Sequence, residues 1–310
     1  EKQGEVSPDE IMESFRPVDI ADRELLQQFL TRYPNEASEC TFSNLFIWGN
    51  GDGIEWAVRD DVLLLHAMVG GVKPCMLMAL ADHSRIGAAL DAAVAAMEER
   101  GEPFHMRCLP QWYCRLMEEA RPGRFCFERE PHHDDYVYRV EDLINLSGKR
   151  YHGKRNHVNR FLQEYGDRYI YEAFTPALAQ ECMELHMQWY RAHRDTGSPG
   201  LREECESVER ALFNAGALGL VGGVIRVDGK VQAFSMGESI TDQMALIHIE
   251  KANAEIPGLY AVINREFLAH SFAAKTFVNR EEDMGDEGLR RAKQSYHPAR
   301  MIEKFGARLV

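Results

Sequence analysis

One order of helical and extended segments runs through this chain twice, and that repetition limits the fold more than any single motif. In the first half, apolar residues recur three or four apart over 22–33 and 35–48, the spacing of one helix face. Alternating runs follow at 54–60 and 61–70 about an Asp60-Asp61 turn, and 73–80 adds a third extended run, making a meander. An Ala-rich helix at 83–101, a strand at 104–109, a helix at 111–120 and a strand at 125–130 complete the half. From about Asp142 the order returns, although the residues themselves are not self-similar. Helices at 175–194 and 201–216 precede a hairpin at 217–239 about Asp228-Gly229 and a strand at 242–252. A helix at 256–272, a strand at 275–279, a helix at 286–296 and a closing strand at 299–309 follow. The class implied is α/β (α+β), with two tandem domains at 1–140 and 141–310, each a mixed, mostly antiparallel sheet flanked by helices.

Size and composition agree with two folded domains: 310 residues, 45% hydrophobic and 27% charged. The acidic excess, 49 Asp and Glu against 36 Lys and Arg, excludes broad contact with duplex DNA. Against that background "GKRYHGKRNHVNRF", Gly148 to Phe161, is a local basic block. Seven cysteines without CxxC or Cys/His spacing suit reduced thiols and no structural metal. Apolar runs are broken well before a membrane-spanning length, and the acidic start "EKQGEVSPDE" lacks the layout of a secretory signal. The expectation is a cytoplasmic protein with at most peripheral membrane contact.

Three stretches, "LINLSGKRYHGKRNHVNRFLQEYG", "IHIEKANAEIPGLYAVINREF" and "FVNREEDMGDEGLRRAKQSYHP", resemble an uncharacterised bacterial family related to the C-terminal domain of phosphatidylglycerol lysyltransferases. "CTFSNLFIW" resembles that family's first half. The element order is similar to the acyltransferase fold of the GCN5-related N-acetyltransferases (GNAT), duplicated, and the basic block is similar to a stretch in the Fem-type aminoacyltransferases. The resemblance implies an acyl or aminoacyl transferase with no tightly bound cofactor. Its donor would be acyl-coenzyme A or the acceptor end of an aminoacyl-tRNA, and its acceptor an amine or a hydroxyl. The alternative is a degenerate fold that binds a metabolite or coenzyme A without turnover. The first half lacks matching catalytic residues and is read as structural.

The resemblance also places roles on residues. Ile256, Pro257, Gly258, Leu259 and Tyr260 form the helix start where backbone amides would cradle the phosphates of a coenzyme A donor, with Lys293, Lys251 and Arg291 as added positive charge. Glu255 and Tyr260 depart from the coenzyme A pattern, which has Gln or Arg and Gly or Ala at those places. Tyr296 is the general-acid candidate. Glu250 is the base candidate, ahead of His248, which strand alternation puts on the same face. Glu281, Glu282 and Asp283 form a pocket for a substrate ammonium, Asp283 with a share in taking the amine proton. In the basic block, Arg150, Lys154 and His157 share a helical face with Phe161, and with Arg155 they would meet a phosphate. Each role has a plain alternative: an ordinary Pro-Gly helix start, a core tyrosine, a solvated charge run, or a basic face neutralised by acidic surface.

Overall fold

A computed structural model of the chain describes residues 14–33, 35–68, 73–193 and 200–310, so the acidic start lies outside it. The described chain forms two compact units, one of residues 14–33, 39–133 and 303–310, the other of 35–38 and 134–302.

The first unit runs β1 (Arg16–Pro17), α1 (Arg23–Leu30), α2 (Phe42–Trp48), β2 (Glu55–Arg59), β3 (Val62–Ala67), β4 (Cys75–Leu80), α3 (Ile86–Glu99), β5 (His105–Pro110), α4 (Gln111–Ala120) and β6 (Phe125–Arg129). Antiparallel pairing of β2, β3 and β4 gives the expected meander. Asp60 and Asp61 make its first turn with φ of 49° and 58°, the left-handed pair that matches the twist of a two-residue hairpin. Thr41 starts α2, its side chain accepting from the Asn44 amide.

The second unit runs β7 (Asp135–Arg139), α5 (Val140–Asn145), α6 (His152–Tyr165), β8 (Tyr169–Ala173), α7 (Ala179–His193), α8 (Leu201–Leu218), β9 (Val221–Val227), β10 (Lys230–Ser239), β11 (Met244–Ala252), α9 (Leu259–Ser271), β12 (Phe277–Asn279), α10 (Glu287–Gln294) and β13 (Arg300–Ile302), with β14 (Lys304–Leu309) ending the chain. The strand orders are β1-β2-β3-β4-β5-β14-β6 and β13-β7-β12-β11-β10-β9-β8. Both sheets are mixed, as the periodicity implies.

Two expectations need correction. The closing strand at 299–309 is two strands in different sheets: β13 pairs with β7, and β14 lies between β5 and β6. In return β7, unrecognised in the sequence, lies between β12 and β13. The chain therefore divides at His133/Asp134 rather than at 140/141. The physical reason is burial on both faces. Tyr136, Val137 and Tyr138 are all buried, which an interior place in a sheet provides and a connector would not.

Parallel pairing between β11 and β12 lasts only three residues, Met244 to Leu246 against Phe277 to Asn279. Beyond it β11 continues to Ala252 with β10 on one side only, so the sheet splits. A β-bulge sits at the same place, where the register steps from Ile249 opposite Met236 to Ile247 opposite Gly237 and passes over His248. Its effect shows in the packing of α9. Ala245 and Ile247 cluster with Phe267 and Leu268, whereas further on Ala252 clusters with Leu259 and Val262. The α9-facing positions change from odd to even across the bulge, which turns Glu250 toward α9.

Candidate functional site

At the split, Arg280 directly follows β12 and reaches back to β11, its Nη2 donating to Glu250 Oε1 at 2.9 Å. The other carboxylate oxygen, Oε2, accepts from Asn264 Nδ2 of α9 at 2.9 Å. Arg280 also lies on two aromatic rings, with Cζ 5.5 Å from the Tyr138 centroid and 4.9 Å from that of Tyr296. Lys154 of α6 places its ammonium 3.9 Å from the same Tyr296 centroid. Helix α6, strand β11, helix α9, the loop after β12 and the turn after α10 thus bring Lys154, Glu250, Asn264, Arg280 and Tyr296 together.

The electrostatics follow from burial. Burial pushes the Tyr296 hydroxyl up to about 12, with Arg280 pulling it down and Glu250 pushing it up, so it keeps its proton at neutral pH. Burial lowers the Lys154 ammonium, and the Arg280 charge lowers it further, while Glu250 opposes both. Two polar atoms of this cluster are buried without a partner, Arg280 Nη1 and Asn264 Oδ1. Such atoms are costly to leave unmatched, by about 1–3 kcal/mol each, so each calls for a physical explanation.

The other expected site residues are elsewhere. Asp283 is buried, taking Arg290 on both oxygens at 2.8 and 2.9 Å, the Tyr136 hydroxyl at 2.7 Å and the Gly285 amide at 2.9 Å. Burial alone would raise its pKa, but these donors outweigh burial and hold it at about 2. It is a structural anion, not a proton acceptor. Glu281 is bonded to His248 Nδ1 at 2.9 Å, and His248 Nε2 meets Glu238 at 2.9 Å. Burial opposes the imidazolium, yet the two carboxylates push its pKa up to about 9, so His248 is held charged and is no base. It does not share Glu250's set of partners, because the bulge breaks the alternation on which that expectation rested. Lys293 is buried, its ammonium spent on the carbonyls of Arg280, Glu281 and Glu282. Nor do the basic-block residues share a cationic face: Arg150 pairs with Asp142 at 2.8 Å, Arg155 ties the carbonyls of Leu146 and Gly148, His157 is exposed and Phe161 is core. Lys251 pairs with Glu204, and Arg291 donates to the Glu287 carbonyl.

Residues 30–308 match the family described as phosphatidylglycerol lysyltransferase, C-terminal. The chain belongs to that family. A conserved protein of unknown function from Bacteroides thetaiotaomicron is 34% identical in sequence, with a TM-score of 0.87 over 96% of this chain and all of that one. L-PGS of Bacillus licheniformis shares the fold at 16% identity, with a TM-score of 0.64 over 93% of this chain and 91% of that one. A tandem GNAT protein from the clavulanic acid biosynthesis pathway does so at 10% identity, with a TM-score of 0.51 over 96% and 98%. The fold is therefore the tandem GNAT-like one. An uncharacterised protein of Mycoplasmoides gallisepticum is 21% identical over 176 residues, and that match spans 57% of this chain and 56% of its relative.

In this member of the lysyltransferase C-terminal family, the helix start at Ile256–Tyr260 has two of its amides already taken and one position without an N–H. The Ile256 amide donates to Asn253 and the Leu259 amide to Ile256, while Pro257 has no N–H to offer. Gly258 has φ of +85°, but what approaches it is α6: a Cβ there would lie 2.2 Å from the His157 carbonyl oxygen. Leu259 is core, Tyr260 is partly exposed and Glu255 adds an exposed carboxylate. Sequence reasoning missed Arg280 and Asn264, although each left a signal. Asn264 is a polar residue inside the apolar face of α9, and Arg280 is the residue at the carboxyl end of a strand parallel to its neighbour, where ligands of open sheets bind. Among the described residues no helix is long and apolar enough to cross a membrane.

Proposed function

We propose that the protein is an aminoacyl transferase whose reaction takes place at the split between β11 and β12, moving an aminoacyl group from the ester of an aminoacyl-tRNA to a hydroxyl or amine acceptor. Membership in a family named for a lysyltransferase supports the reaction class. The observation that carries it is Arg280 Nη1, a cationic donor buried without a partner on a guanidinium that lies against the ring of Tyr296, whose hydroxyl keeps its proton. Acyl transfer develops negative charge on the carbonyl oxygen as the acceptor adds, and a preorganised donor in a dry site stabilises it. Collapse breaks the ester C–O bond, Tyr296 gives its proton to the departing oxygen, and the acceptor's own proton restores the phenol. Glu250 has both oxygens engaged, so its role is to orient Arg280 rather than to act as base. The spent amides at Ile256 and Leu259 favour the ester donor over coenzyme A. An aminoacyl-tRNA donor places the protein in the cytoplasm, and the family's name makes a phosphatidylglycerol hydroxyl the first acceptor to test.

Purified protein incubated with radiolabelled lysyl-tRNA and phosphatidylglycerol vesicles, or with acetyl-coenzyme A in a parallel arm, distinguishes the donors. Label should pass from tRNA to lipid, and Tyr296→Phe should lower kcat by about 10²–10⁴. Turnover unchanged in Tyr296→Phe, or transfer from acetyl-coenzyme A alone, would sink this assignment.

A further inference from the structure

Lys154 is a half-buried cation that no carboxylate of the described residues pairs with directly. Its ammonium rests on the Tyr296 ring and has no hydrogen-bond or ion-pair partner among the described residues. Arg280 lies against the same ring, so the two cations repel while half-buried. Glu250, the carboxylate that acts on Lys154, is itself bound to Arg280 and Asn264. The helix adds to the imbalance. α6 and the short turn before it start with no side-chain cap and no acid in the first turn, so the positive end of the helix is reinforced by Lys154 instead of neutralised. Natural helix starts favour the opposite arrangement, and a surplus of positive charge at a helix start that also bears a half-buried, unmatched lysine is what an anionic ligand would complete.

We infer that Lys154 anchors a phosphate group of the substrate in the split, with Arg280, which lies against the same Tyr296 ring, contributing charge. The inference rests on the transfer site proposed above, since it places the phosphate beside Tyr296, but it concerns binding and is read without turnover. A phosphodiester could come from either reactant, the nucleotide end of the donor or the headgroup of a lipid acceptor, and both present the same chemistry to Lys154.

Thermal unfolding of the full chain is followed against inorganic phosphate, against adenosine 5′-monophosphate and against glycerophosphoglycerol. Each tenfold excess over the Kd should raise the Tm by about 2–4 °C in the wild type. Lys154→Met should abolish the rise, whereas Lys230→Met, an equal charge change on an exposed hairpin residue, should keep it. Near-ultraviolet circular dichroism checks that Lys154→Met is folded, and Lys154→Arg should restore at least part of the rise. A larger rise with adenosine 5′-monophosphate supports a donor phosphate, and a larger rise with glycerophosphoglycerol supports an acceptor phosphate. No rise in the wild type, or an equal rise in Lys154→Met, overturns the inference. Protein that binds phosphate through Lys154 but transfers nothing keeps the anchor and loses the transferase reading; transfer without phosphate binding does the reverse.

Discussion

Replacing Gly258 by Ala tests whether this glycine serves packing or a ligand. Its φ of +85° is one that an alanine adopts at a cost of about 1–2 kcal/mol. The added methyl would stand 2.2 Å from the His157 carbonyl oxygen, 2.9 Å from its carbon and 3.3 Å from Phe161 Cβ. Main chain cannot rotate away as a side-chain tip can, so α6 must shift, and it is seated by Val158 and Phe161, both fully buried. Overpacking of that kind adds about 1–3 kcal/mol, for a total of about 2–5 kcal/mol. The expected result is a Tm lower by roughly 5–20 °C and a lower urea midpoint with an unchanged slope. Gly153→Ala is the control: it is helical with nothing within 4 Å of the added Cβ, and should gain about 0.5–1 kcal/mol. A Gly258→Ala protein as stable as wild type but unable to bind or turn over a donor would refute the packing argument and restore the phosphate cradle.

Two further predictions concern the acidic loop and the strand exchange. His248 has its pKa raised from 6.5 to about 9, so its stabilisation is complete below pH 6.5 and is lost as pH rises through 9, a decline on the order of 3 kcal/mol. Urea titrations across that range should show the decline in wild type and a flatter profile in His248→Gln; a flat wild-type profile would mean that the imidazole is neutral. A fragment of residues 141–310 loses β7 from between β12 and β13, so it should show no cooperative unfolding and little near-ultraviolet signal. Cooperative unfolding of that fragment would contradict the observed strand order.

The sequence disclosed the parts of the fold governed by local chemistry, and it hid those governed by pairing at a distance. Both meanders were legible because Asp60-Asp61 and Asp228-Gly229 are turn residues between alternating runs. The division of 299–309 was not, since nothing local in "ARMIEKFGARL" says that Arg300 and Lys304 pair with strands of different sheets. The site follows the same rule. Tyr296 and Lys154 were identified and do meet, yet the face assigned to the basic block failed. Only Lys154 turns in to the site: Phe161 of the same face is core, and His157 points to solvent. His248 and Glu250 were expected together because period-two reasoning assumes an unbroken strand; one extra residue reverses it. The acidic run "NREEDMGDE" reads as surface charge or as a cation pocket, and neither description anticipates that Glu281 and Asp283 are each neutralised by a basic partner within the same unit.

The exchanged strand also changes what the first half of the sequence contributes. β7 is continuous with the first half, yet two of its tyrosines shape the loop that bears Arg280. The Tyr136 hydroxyl donates to Asp283, and the Tyr138 hydroxyl donates to the Lys293 carbonyl while its ring lies against Arg280. Lys293 in turn holds the carbonyls of Arg280, Glu281 and Glu282, fixing a stretch in which Glu281 has φ of 56°. A loop held from both ends by buried hydrogen bonds keeps Arg280 in one orientation, and catalysis by charge stabilisation depends on donors that need not reorganise. Residues 135–139 are therefore part of the machinery that aims Arg280, although they lie before the boundary at which the sequence suggests that the catalytic half begins.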